Sequence, residues 1–164
     1  ININNNQINI NKNLRTIYMA YHKAPYFYVV YPIIEKILKY DSENLSDYII
    51  NSIKVIAEYL RITSEIIVSS TMKKNNELKG EDKVIEICKL LNATEYYNAI
   101  GGIDLYSFEN FRKNNIKLIF LKTNDIIYKQ FDDNFIKNLS IIDVMMFCSI
   151  NQINSMLCQY QIER

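Results

Sequence analysis

The chain has 164 residues, 49% of them apolar, and a formal net charge of +1 from 19 basic and 18 acidic side chains. This length and composition suit one soluble globular domain that can bury a core. The charges are well mixed and form no basic stripe, so the electrostatic footprint of a nucleic-acid binder is missing.

The longest uncharged-looking stretch, LSIIDVMMFCSI at 139–150, contains Asp143 and is too short to span a bilayer. No secretory signal pattern is legible. Cys88, Cys148 and Cys158 form no CxxC pair, and His22 is the single histidine. A zinc site needs more ligands, so the cysteines read as buried reduced thiols and point to the cytoplasm.

In chain order, residues 1–11 are Asn-rich, with Ile at positions 1, 3, 8 and 10. They read as a low-complexity, disordered tail or as a short extended edge. Residues 12–22, KNLRTIYMAYH, read as a short helix. Pro25 suits a helix start, and Pro32 should kink the following helix or begin a new one. In LSDYIINSIKVIAEYLRI, Ser46 is a candidate N-cap, and Ile49, Ile53, Ile56 and Leu60 share one helical face.

The pattern then changes. EIIVSS at 65–70 predicts a first strand, and EDKVIEICKLLNA from Glu81 a helix. EYYNAI predicts a second strand, LYSFENFRKN a helix with Leu105, Phe108 and Phe111 in register, and IKLIFL at 116–121 a third strand. Together they predict an α/β, Rossmann-like three-layer βαβαβ core with parallel strands, preceded and followed by helices. Ser140 and Asp143 make a capping-box-like start for a helix to about Phe147, and a last short helix is expected at 151–158.

In an open parallel sheet, ligands bind beyond the carboxyl ends of the strands. That places Ser69 and Ser70, then Asn98, Gly101 and Gly102, on one rim, ahead of a helix carrying Asp104 and Tyr106. The chain has only three glycines, so two side by side suggest either a tight turn or close approach to a phosphate or carboxylate. Other positions also carry two readings. His22 and Lys23 are an acid–base or anion-binding pair, or a surface helix end. Tyr128 and Gln130 reach a ligand, or Tyr128 packs within a loop. Asp143 is a functional carboxylate, or it caps its own helix. No catalytic triad order, P-loop, GxGxxG or HExxH occurs, and no cofactor is assigned.

Several stretches taken together carry a resemblance: YHKAPYF, EIIVSS before a polar loop, LKGEDKVIEICKLLNATEYYNAIGGIDLY, and the pair YKQF and LSIIDVMMF. Over residues 14–150 they resemble the WbqC-like protein family. Its members are typically encoded among genes for bacterial surface polysaccharide, such as O-antigen, and are regarded as sugar-modifying or transferase-type proteins. The resemblance implies a small-molecule sugar or nucleotide-linked donor as partner. It places Lys23, Ser69, Ser70, Asn98, Gly101, Gly102, Tyr106, Gln130 and Asp143 on the family's recurring motifs. For a transferase reading, the catalytic candidates are Lys23 or Asp143, to handle charge or protons, with Ser69, Ser70 and Asn98 orienting a donor. Family members normally open with a Gln-Pro-aromatic, Pro-Trp-Gly-Tyr-type segment followed by strands. Nothing of that kind precedes Ile1, and Trp is absent. The resemblance therefore implies a member lacking its N-terminal portion, with an open apolar sheet edge, and inactive alone or dependent on a protein partner. A non-catalytic module that partners a glycan enzyme is the alternative reading.

Overall fold

A computed structural model describes residues 7–163. Two compact units are formed, one from the chain up to Ile66 together with Ile126–Cys158, the other from Ile67–Asp125 with the residues from Gln159 onward.

The first unit is helical. It holds α1 (Gln7–Tyr21), α2 (Phe27–Leu38), α3 (Leu45–Tyr59), and then α6 (Ile141–Phe147) and α7 (Ile150–Leu157) from the later part of the chain. Of the Asn-rich opening, residues 1–6 lie outside the described residues, and from Gln7 the chain is already in α1. Helix α2 buries Phe27, Val30, Ile34 and Ile37, a 3-4-3 spacing that lays one face on the core. Pro32 neither ends α2 nor begins a new helix; it sits inside one assigned helix. The carbonyl deprived of its partner is that of Tyr28, on the exposed side of the helix. Phe27, Val30, Ile34 and Leu60 pack with Met145, Met146, Cys148 and Ile153. Full burial of each large side chain contributes about 1.5–3 kcal/mol. The backbone N–H of Tyr26 donates to the Met146 carbonyl at 3.1 Å and ties the start of α2 to α6. Helix α3 is capped by Asn44, whose Oδ1 accepts the Ser46 N–H at 2.8 Å, rather than by Ser46 itself. On its apolar face Leu60 is buried, whereas Ile49 and Ile53 remain 45% and 49% exposed.

The second unit holds α4 (Gly80–Leu90), β1 (Glu95–Ala99), α5 (Phe108–Lys113), β2 (Lys117–Thr123) and β3 (Tyr160–Glu163). The sheet order is β1-β2-β3. Strands β1 and β2 are parallel, with Tyr97 opposite Ile119, and β3 joins β2 antiparallel, with Ile162 opposite Leu121. Ile85 and Cys88 of α4 and Phe111 of α5 pack with Leu118 and Phe120 of β2.

This corrects the expected βαβαβ core. The molecule is mixed α/β, with one parallel pair rather than three parallel strands, and a three-layer Rossmann arrangement is not formed by the described residues. The run at 65–70 makes no ladder. After an extended Val68, Ser69–Thr71 turn into a 3-10 helix, and both the N–H and the Oγ1 of Thr71 bond back to the Val68 carbonyl at 3.0 and 2.9 Å. That local hydroxyl bond competes with a strand partner for the same carbonyl. Likewise the expected single helix from Leu105 is split. Ile100–Leu105 form a 3-10 turn, Leu105 is exposed, and Ser107 caps α5 through its hydroxyl.

Candidate functional site

The one fully buried charged side chain among the described residues is Asp143, 4% exposed, in the first turn of α6. Ser140 starts that helix, its Oγ accepting the Ile142 N–H at 3.3 Å. The Asp143 carboxylate is therefore released from capping and turns into the unit. Its Oδ2 accepts the Tyr21 hydroxyl at 3.0 Å. Its Oδ1 accepts the Tyr128 hydroxyl at 2.6 Å and Gln130 Nε2 at 3.0 Å. Tyr21 is the last residue of α1, while Tyr128 and Gln130 come from the irregular segment between β2 and α6. Gln130 also bonds both ways with Ile136, Nε2 to the carbonyl at 3.0 Å and the Ile136 N–H to Oε1 at 2.9 Å. One amide thus closes the 130–136 loop and pins it to the buried acid.

A carboxylate taken from water requires such donors, because an unpaired buried charge is costly. All three here are neutral. Burial, then the hydrogen bond to Asp143 and its charge, push the Tyr21 hydroxyl up to about 12. The Tyr128 hydroxyl is raised for the same reasons. Both tyrosines consequently stay protonated at neutral pH and act as donors, not bases. Burial and the Asp143 charge also raise the Cys148 thiol, which is the opposite of what an activated nucleophile needs. With three donors on it from α1 and the 128–130 segment, Asp143 is suited to holding the loop in register.

In the second unit, the parallel pair ends at Ala99 and Thr123, and the chain after β1 enters the glycine turn. The two glycines differ. A Cβ on Gly101 would meet nothing within 4 Å, whereas one on buried Gly102 would lie 2.9 Å from Asn98 Nδ2. Asn98 in turn accepts the Ala99 N–H on its Oδ1 at 2.7 Å. Neither glycine has a positive φ, so Gly102 serves a close approach, to Asn98, and Gly101 leaves open backbone. Tyr106 packs with Tyr96 and Phe111, ring centroids 5.7 and 5.9 Å away. Ser69 and Ser70 are exposed on their 3-10 turn, and among the described residues no hydrogen bond joins them to Asn98, Gly101 or Gly102.

The expected site residues thus fall in two groups. Gln130 and Asp143 are in direct contact in the helical unit. Lys23 lies in the same unit, exposed between α1 and α2. Its neighbour His22 is occupied by stacking on Tyr18 at 5.4 Å. Ser69, Ser70, Asn98, Gly101, Gly102 and Tyr106 belong to the second unit. The residue missed by sequence reasoning is Tyr21. Its signal was its place at the head of YHKAPYF, directly before the histidine that drew attention instead.

The sequence profile of the WbqC-like protein family matches residues 1–155 of the 164. The chain belongs to the WbqC-like family. No curated protein and no solved structure matches it significantly. Both the acid-centred cluster and the glycine turn lie within the matched WbqC-like region. Among the described residues no helix is long and apolar enough to cross a membrane, and no three His, Cys, Asp or Glu side chains converge as a metal site would need.

Proposed function

We propose that this WbqC-like protein is a cytoplasmic, transferase-type enzyme of bacterial surface polysaccharide biosynthesis, of the O-antigen and lipopolysaccharide type, acting on an activated sugar or its donor. Family membership supports the process. The observation that carries the donor site is the open backbone at Gly101, just beyond the carboxyl end of a strand in a parallel pair. A phosphate or carboxylate of the donor approaches there, where no side chain intervenes. Asn98 and Gly102 fix the turn against each other, and the Ser69 and Ser70 hydroxyls and Tyr106 add polar contacts. Within the helical unit, Lys23 offers an exposed ammonium, and Asp143 and Gln130 hold the 130–136 loop.

The three neutral donors that hold Asp143 also support a second reading, a non-catalytic module that partners a glycan-biosynthesis enzyme, because they give the acid a structural role. Calorimetry with a panel of nucleotide-sugars separates the two. Binding that is lost in Gly101→Val, with the fold retained by circular dichroism, is the outcome expected of the donor site. No heat across the panel rejects that site and leaves the module reading, for which Lys23→Ala should not alter the partner enzyme's turnover.

A further inference from the structure

A cavity of about 480 Å³ opens at the amino ends of β1 and β2, and neither the resemblance nor the proposed donor site uses it. Its walls come from Thr94, just before β1, from Lys117 and Leu118 at the start of β2, and from Phe108, Arg112 and Asn115 on α5 and the turn after it. Because β1 and β2 are parallel, these residues mark the amino ends of the strands. Gly101 lies beyond the carboxyl ends, about 16 Å further along for a five-residue strand.

Three observations define the ligand chemistry. Phe108 and Arg112 are four residues apart on α5, so they stand side by side on one face. The Phe108 ring packs edge-on against buried Phe120 with centroids 5.5 Å apart, yet stays 40% exposed toward the opening. Among the described residues the Arg112 guanidinium has no hydrogen-bond or ion-pair partner, whereas the other cation, Lys117, is held by Glu95 at 2.9 Å. A bare aromatic surface beside one uncommitted guanidinium matches a compound with a flat ring and an anionic group, and the volume suits a molecule of that size. Arginine takes phosphate through paired N–H donors, and the ring offers stacking.

We infer that this cavity is a binding site for a nucleoside monophosphate, with the base against Phe108 and the phosphate on Arg112. The site is independent of the donor site at Gly101, and either can fail without the other. The test is amide-resolved NMR titration of the full chain with uridine 5′-monophosphate, and with uridine and inorganic phosphate as separate arms. The nucleotide should shift amides in residues 108–118 and bind more tightly than either half. Arg112→Gln should weaken it by about tenfold, bringing it close to uridine. Phe108→Leu, which keeps the contact with Phe120, should weaken both nucleotide and nucleoside. Shifts confined to residues 98–102, equal binding of phosphate alone, unchanged affinity in both variants, or no shift at millimolar ligand each overturn the assignment.

Discussion

Replacing Asp143 by Ala removes the acceptor shared by Tyr21, Tyr128 and Gln130. A hydrogen bond to a charged group contributes about 1.5–3 kcal/mol net. Three such bonds do not add simply, since they share one carboxylate. The variant also relieves the desolvation cost of the charge, which offsets part of the loss. The expected net destabilisation is about 3 kcal/mol, a large share of the roughly 5–15 kcal/mol that holds a domain folded. Asp143→Asn keeps one acceptor oxygen and the volume, and should lose about half as much. Urea unfolding followed by circular dichroism measures both. With a slope of about 1–3 kcal/mol per molar urea, the Ala variant's midpoint should fall by more than about 1 M. A double-mutant cycle with Tyr128→Phe should show coupling of about 1 kcal/mol or more across the 2.6 Å bond. A loss below about 0.5 kcal/mol in Asp143→Ala, or a Tyr128→Phe cost that is the same with and without Asp143, would refute the view that the acid anchors this loop.

Three further outcomes follow from the same geometry. Tyr21 has its pKa raised from 10.0 to about 12, so the fold favours its neutral form. Its stabilising contribution is complete below the unfolded pKa and is lost as pH rises through the folded one, so stability should decline between pH 10 and about 12, with a shallower decline in Tyr21→Phe. Gly102→Ala should cost about 1–2 kcal/mol because its methyl group meets the Asn98 amide, whereas Gly101→Ala should stay within about 0.5 kcal/mol of the parent in the same urea assay. Ser149→Ala removes one half of the reciprocal cap with Gln152 at the start of α7, and about 1 kcal/mol of stability should go with it.

Local rules made much of the helical unit legible. Residues 12–22 read as a helix and lie within α1 but for His22, and Ser140 marked the start of α6. The sheet was less legible, because strand pairing is a long-range event. Glu65–Val68 have strand-like side chains but no ladder partner, while Tyr160–Glu163 pair with β2 across the chain. Their only local signal is the alternation of Tyr160 and Ile162. Pro32 does not begin a new helix but sits inside α2, where the Tyr28 carbonyl that loses its N–H partner is on the exposed side. For the site, the types and spacing of Tyr128, Gln130 and Asp143 were visible, but their convergence was not. Whether Asp143 caps its own helix depends on where its carboxylate points, and that is decided by Tyr21, more than a hundred residues earlier. The glycine pair was readable as a special backbone, but the division of labour was not. Only the fold puts Asn98 against Gly102 and leaves Gly101 open.

The most direct measurement is an amide-resolved titration of the chain with nucleotide-sugars, comparing the parent with Gly101→Val. The donor-site account predicts saturable shifts at Asn98–Gly102 that vanish in the variant while the rest of the spectrum is preserved. Saturation with every shift elsewhere, or a spectrum untouched by the whole panel, would contradict it.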